Sequence, residues 1–459
     1  MTAREESVSL SGSHSCFIIV SECMNIFCNM KKEILFLVLL SLAVWSSAMP
    51  GRKIAGKNVS EFAVVYHAAA EPEEGKTLAD SLSVSLSRLA GKPLAVVSSR
   101  DAGSYRRTIS FVHSPGMKSF DYAVSKVGGN MVIDGGGCWA MQKAADLVVA
   151  QLAKGNIPSN YRLKGTVEGK ILFPRRPDVN LRILDDNVWN YRHDTIPDEW
   201  KRAGADCRDD YRVPQYTQLV RAYMPDVLTF QEYNSHMHER LYPRLQQYGY
   251  AMATAPDAKP WVWTPILYDT RTVQLVDAYN ILYTPSKWSD QNSKSLTVAV
   301  MKHKATGKTF AVLNTHLWWQ GDTRAPGSTQ ARASQIRLMM AEAEMIKAKY
   351  DCTIFVTGDM NCEESTPGMQ QFIQGGYVPC YKAATLYGNR DNGHHICAPR
   401  EVGIRQSRRR GADREVGAID HCLIYNARQG AEVKIFDCIQ AAFTVKLTDH
   451  YPNLIDAKL

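Results

Sequence analysis

From Leu181 onward, short apolar runs keep ending in a carboxylate, an amide or an imidazole. Phe355-Val356-Thr357 leads into Gly358-Asp359-Met360-Asn361, and Phe310-Ala311-Val312-Leu313 leads into Asn314-Thr315-His316. In an extended chain residues i and i+2 face the same way, so Asp359 with Asn361, and Asn314 with His316, each converge on one point. The run 226–230 ends in Gln231-Glu232, and the run from Leu181 passes Asp185 and Asp186 to reach Asn187. Later come Ile419-Asp420-His421 and Thr448-Asp449-His450. Taken singly, each is a turn former or a solvated group. Six in succession require a fold in which many strand ends meet.

The pattern separates two folded parts. At 459 residues the chain exceeds ordinary single-domain length, and 45% hydrophobic with 22% charged residues is a globular balance. Residues 58–156 read as a small α/β domain. Strands are expected at 62–66, 94–97 and 108–112, with helices at 78–89 and 141–152. A hairpin over 121–133 turns at Gly128-Gly129-Asn130. Residues 157–177, with Pro158, Pro174 and Pro177, lack a period and read as a linker. Residues 178–459 then alternate longer strands with helices. Two hairpins are expected at 266–282 and 296–316, a helix around Ile336–Ile346, and closing strands at 418–425 and 433–447. Overall this is an α/β chain.

Ahead of these parts, the apolar run 34–45 follows Lys31-Lys32 and precedes Ser46-Ser47-Ala48. Those are the three zones of a secretory signal, and the run is short for a membrane span. Residues 1–48 are therefore expected to be an upstream segment plus signal peptide, with Met30 the natural start of the signal and the mature protein exported. An uncleaved anchor is the competing reading. None of the eleven cysteines forms a Cys-x-x-Cys pair, which disfavours a thiolate zinc site. Export would permit some of them to pair. The formal net charge of +8 suits an anionic substrate and equally suits many soluble proteins.

The ordered set Asn187, Gln231-Glu232, Asn314-Thr315-His316, Gly358-Asp359-Met360-Asn361, Asp420-His421 and Asp449-His450 resembles the endonuclease/exonuclease/phosphatase superfamily of deoxyribonuclease-like phosphoesterases. Arg332 and Gln335 open the following helix as they often do in that family. The resemblance implies a four-layer α/β sandwich, two packed mixed sheets flanked by helices, with the site at one edge. It implies that Asn187, Glu232 and Asp449 hold a divalent cation. Asp359 would orient or deprotonate the attacking water, and Asn361 would position water and phosphate. His450, paired with Asp420, would stabilise the phosphorane, and His316 would bind a phosphate oxygen or assist the leaving group. The first unit resembles, more loosely, the small α/β domain that precedes catalytic barrels in secreted glycosidases. It shows no paired catalytic carboxylates and reads as accessory.

The residue chemistry agrees with these roles. Carboxylate and amide oxygens without thiolates favour Mg²⁺ or Mn²⁺. A carboxylate beside a histidine favours the imidazolium, a cationic donor suited to phosphate. Asn314 and Trp318 are candidate substrate-binding groups. Trp318-Trp319 would stack on a substrate or simply pack. Arg408, within the tract Arg405 to Arg414, would grip further phosphates or lie on a solvated loop. The departure from the family pattern is Asp185-Asp186 ahead of Asn187, where apolar or small residues are usual. The expectation is an exported, metal-dependent hydrolase of phosphodiesters or phosphomonoesters, on small or lipid-linked esters rather than nucleic acid, with no obligatory protein partner. Alternatives are a secreted endonuclease on DNA or RNA, and a noncatalytic glycan- or surface-binding protein on the same fold.

Overall fold

The structure is a computed structural model that describes residues 51–459 apart from 68–71, 115, 119, 168–173, 191–205, 256–258, 290–291, 388–417, 429, 440–443 and 445–446. The expected signal and Arg408 with its arginine tract lie outside the described residues.

The first unit follows its sequence pattern closely. Its elements are β1 (Ala63–Tyr66), α1 (Pro72–Ala90), β2 (Val96–Ser98), β3 (Thr108–His113), β4 (Asp121–Val127), β5 (Asn130–Gly135), α2 (Cys138–Lys154) and β6 (Leu163–Thr166). They form a six-stranded sheet in the order β2-β1-β3-β5-β4-β6. The hairpin forms as expected, with Val127 opposite Asn130. Strand β6 falls within the stretch read as linker. It pairs antiparallel with β4, and its thin alternation, Leu163-Lys164-Gly165-Thr166, explains why no strand was expected there.

The second unit contains β7 (Leu181–Asn187), α3 (Asp209–Tyr223), β8 (Val227–Gln231), α4 (Ser235–Gln247), β9 (Tyr250–Met252), β10 (Ile266–Asp269), β11 (Val273–Leu282), β12 (Ser295–His303), β13 (Thr309–His316) and α5 (Ser328–Tyr350). It continues with β14 (Thr353–Asp359), α6 (Pro367–Gln374), β15 (Val378–Pro379), α7 (Cys380–Ala383), β16 (Leu386–Tyr387), β17 (Asp420–Tyr425), β18 (Glu432–Cys438) and β19 (Asn453–Lys458). Two mixed sheets result, β9-β10-β8-β7-β19-β18-β16 and β11-β12-β13-β14-β17-β15. Ile183, Phe310, Val312, Phe355 and Ile455 belong to one core between the sheets. Helices α3 and α4 supply a core on the outer face of the first sheet, and α5 and α6 do so for the second. This is the expected four-layer sandwich.

Two details differ from expectation. The segment 266–282 is not a hairpin, because β10 belongs to the first sheet and β11 to the second. The last strand, β19, was not expected. It carries Asp456, fully buried in a bidentate pair with buried Arg182 at 2.5 and 2.6 Å, so its charge pattern conceals a central strand.

The units meet at α3, which is buried on its polar faces as well as its apolar one. Trp139 Nε1 donates to Gln215 Oε1 at 3.0 Å, and the Cys138 N–H donates to Gln218 Oε1 at 3.3 Å. Phe120 stacks on Trp139 at 5.6 Å and packs into the core of the second unit. The seven described cysteines are all buried free thiols, with no disulfide among them. No helix among the described residues is long and apolar enough to cross a membrane.

Candidate active site

Register places the candidate residues at one edge. In the second sheet His316 lies opposite Asp359, and Asp359 opposite Asp420, so three neighbouring strands carry functional groups at the same level. In the first sheet Asn187 lies opposite Gln231, one residue before Glu232. Asn453 pairs with Asp185 at the start of β19, which brings the preceding Asp449-His450 to the same end.

The backbone is unusual there. Trp189, Glu232 and Asn361 have φ of +53°, +57° and +50°, a left-handed region that non-glycine residues seldom occupy. Such conformations persist where surrounding structure holds them, typically at functional sites. Gly358, at φ +136°, solves a different problem. A Cβ there would lie 2.0 Å from the Thr315 carbonyl oxygen, so only glycine lets β14 approach β13 beside Asp359.

Asp359 is the hub. Its Oδ2 accepts from Asn187 Nδ2 at 3.0 Å and lies 3.3 Å from His316 Nε2 and 3.9 Å from His450 Nε2. Its Oδ1 accepts the Asn361 N–H at 2.8 Å. Asn187 Nδ2 also donates to Glu232 Oε1 at 3.3 Å, and Glu232 Oε2 accepts the Asn190 N–H at 2.9 Å. Asp420 Oδ2 sits 2.8 Å from His450 Nδ1, and Asp449 Oδ1 sits 3.9 Å from His450 Nε2. Glu232 and Asp449 side chains are 20% and 12% exposed while Asp359 and His316 are at 2% and 1%, so the first two face the mouth and the others its floor.

Electrostatics assign protonation states. Burial alone would lower the His450 pKa, but Asp420, then Asp449 and Asp359, outweigh it and raise it well above the ordinary imidazole value. His450 is therefore an imidazolium. Burial and the Lys294 ammonium lower His316, leaving it neutral near pH 7. Burial would raise Asp359, but His316 against its Oδ2, then His450 and Lys294, hold it below the usual carboxylate range. Burial pushes Asp185 up to about 7 and raises Asp186 well above normal, so Asp186 is a protonated group accepting from Tyr216 at 2.8 Å.

Among the described residues Asp359, Asp420 and His450 place ligand-type atoms within 4.8 Å of one another. Within this trio His450 Nδ1 is already engaged by Asp420 Oδ2 at 2.8 Å, a paired arrangement rather than a set of free ligand atoms. The cluster of Asn187, Glu232 and Asp359 fits better. It is an oxygen-rich set in which two carboxylates lean on one amide, and a hard divalent cation suits it.

Two expected substrate contacts are corrected. Asn314 is fully buried. Its amide donates to the Phe230 and Pro265 carbonyls at 2.8 and 2.9 Å and accepts from Gln231 at 2.7 Å, so it ties the two sheets together. Trp318 is 8% exposed, with Nε1 donating to Ser328 at 3.2 Å, and it packs rather than faces substrate. His421 is a buried support whose Nε2 contacts the Cys362 carbonyl.

Sequence reasoning missed Lys294 and Arg212. Lys294 is buried against His316. Arg212 is fully buried and donates to the Val188, Leu447 and Trp189 carbonyls at 2.6, 3.0 and 3.1 Å. It thereby fixes the loops carrying Asn187 and Asp449-His450. A charged residue on an otherwise buried helix face was the available signal.

No family model matches the chain. Among curated proteins it is similar to the CCR4-Not complex 3'-5'-exoribonuclease subunit Ccr4 of Yarrowia lipolytica, 26% identical over 151 residues, 27% of this chain. The match spans only 21% of that relative's length. Similar solved structures include an endonuclease/exonuclease/phosphatase from Bacteroides vulgatus, 20% identical, covering 61% of this chain and 98% of that one at a TM-score of 0.46. A mannosyl-6-phosphatase of Bacteroides thetaiotaomicron is 17% identical, covering 61% and 100% at a TM-score of 0.46. D. rerio TDP2, complexed with single strand DNA product, is 15% identical, covering 61% and 99% at a TM-score of 0.42. The motifs from Asn187 to His450, brought by two packed sheets to one edge, give the chain from Asp178 onward the fold of the endonuclease/exonuclease/phosphatase superfamily, which it resembles in motif order as well.

Proposed function

We propose that this protein is an exported, divalent-metal-dependent phosphoesterase acting on small or lipid-linked phosphate esters. The observation that carries the reading is the convergence on Asp359 of Asn187, His316 and His450, with Asp420 behind His450 and Glu232 at the mouth.

Asn187 and Glu232 would hold Mg²⁺ or Mn²⁺ beside Asp359, with Asp449 as a further ligand. When bound, the cation neutralises charge developing on the phosphoryl oxygens. Asp359 orients the attacking water. Held strongly ionised, it acts first as a hydrogen-bond acceptor and takes the proton only as the new P–O bond forms. Asn361 positions that water and the phosphate. His450, kept cationic by Asp420, donates to the phosphorane oxygens. Neutral His316 binds a phosphate oxygen or assists departure of the leaving group. The order of the motifs and the signal-like pattern of residues 31–48 support the reading.

The test is a metal-dependent screen of purified residues 49–459 against sugar phosphates, inositol phosphates, sphingomyelin, DNA and RNA. Mg²⁺-dependent release of phosphate or headgroup, abolished by chelation and reduced about 100-fold or more by Asp359→Asn, is expected. Degradation of plasmid DNA at low enzyme concentration would replace the small-substrate reading with the nuclease one. Unchanged hydrolysis in Asp359→Asn and His450→Ala would end both.

A further inference from the structure

Immediately after His316 the chain is clamped atom by atom. The Leu317 N–H donates to the Asp359 carbonyl at 2.9 Å, and Asn361 Nδ2 donates to the Leu317 carbonyl at 3.1 Å. The Trp318 N–H donates to Gln335 Oε1 at 3.1 Å. A single guanidinium nitrogen, Arg332 Nη1, donates to both the Trp318 and Gln320 carbonyls, at 3.0 and 2.8 Å. The backbone on either side of Trp319 is therefore fixed.

Its side chain is the opposite. Trp319 is 47% exposed, whereas its neighbour Trp318 is buried and packs edge-on against Trp288 at 5.2 Å. Trp319 tilts against Trp318 at 6.5 Å, and the Lys287 ammonium lies 4.6 Å over the Trp288 ring. The result is an aromatic ridge with a cationic flank. Leaving a large indole in water forgoes the gain of burying it, and a held backbone prevents it from folding away. It lies three positions along the chain from His316, a reach of about 10 Å at most. That span suits a ring carried, directly or through a sugar, by a phosphate held at the site.

The geometry points to Trp319 as a specificity-determining platform that stacks on a flat ring face of the leaving group, a pyranose or a nucleobase, next to the scissile phosphate. The inference rests on the phosphoesterase reading. It excludes acyclic leaving groups as preferred substrates, since those gain nothing from a rigid exposed indole. Rigid aromatic side chains lose little conformational entropy on binding, which is why a pre-set indole is effective.

The experiment compares Trp319→Ala and Trp319→Phe with the unmodified protein on mannose 6-phosphate, adenosine monophosphate and glycerol phosphate in Mg²⁺. Trp319→Ala is expected to lower kcat/KM for at least one ring-bearing ester about ten-fold, chiefly through KM, and to leave glycerol phosphate within about two-fold. Trp319→Phe should recover part of the loss. A sugar-only or base-only loss identifies which ring is stacked. An equal loss on all three esters, or none on any, overturns the inference while leaving the phosphoesterase reading intact. Absence of turnover in the unmodified protein on these and all other esters would instead remove that reading. Because the side chain is exposed, the variants should melt with the parent, which separates a binding effect from misfolding.

Discussion

His450 shows how one carboxylate sets a reaction's pH range. Asp420 lies 2.8 Å from its Nδ1 and is the main favourable influence holding the proton on a ring that burial would otherwise deprotonate. Asp420→Asn removes that charge, so the pKa of His450 falls and the imidazolium is lost at lower pH. The alkaline limb of the kcat/KM profile should therefore move to lower pH, with a fall of about 10- to 100-fold at pH 8 that shrinks toward acid. A pH-independent loss would mean that Asp420 merely supports the fold. At this scale the sequence was informative about side chains that converge and uninformative about their exposure. Asn314 and His316 sit two positions apart on one strand, yet Asn314 is spent on the Phe230 and Pro265 carbonyls while His316 meets Asp359. Likewise Trp318 and Trp319 are adjacent, and only packing by Ser328 and Trp288 decides which is buried. Lys294 escaped notice because nothing in its local sequence reports that β12 begins beside His316.

Strand ends are the elements that make this site, and Gly358 is where two of them approach most closely. Gly358→Ala would meet the Thr315 carbonyl at 2.0 Å and adopt a strained φ, so β14 must shift. We expect a loss of about 2–4 kcal/mol in urea unfolding, with activity falling more than stability because Asp359 follows directly. A wild-type midpoint would contradict the close approach. The regular elements were legible where apolar periodicity was strong, as in β13, β14 and α5. They were not where long-range pairing supplies the burial. Arg182 and Asp456 each look solvent-facing alone and are buried only because β7 and β19 are neighbours. The same holds for β10 and β11, whose three-residue connection resembles a hairpin turn while the strands diverge into different sheets.

Over the whole molecule, α3 belongs to both units. It seats the first sheet of the sandwich on one side and receives Trp139, Cys138 and Phe120 from the first unit on the other. A chain beginning at Asp178 would expose that second side, including Gln215 and Gln218, whose Oε1 atoms lose their donors from Trp139 and Cys138. It should unfold at least about 5 °C below the longer chain in calorimetry and aggregate more readily. An unchanged transition would show the first unit to be an independent appendage. The strand order carries a consequence for how the molecule comes into being. β7 lies between β8 and β19, and β19 arrives more than 260 residues later, directly behind Asp449-His450. Such distant pairing makes folding slow relative to the local contacts of the first unit, which can form during synthesis. Until β19 docks, β7 has an open edge and the imidazolium has no place to stand. Catalytic competence therefore appears late and all at once, and a ribosome-bound chain that stops short of β19 is a folded first unit attached to an inert, sticky half-sandwich.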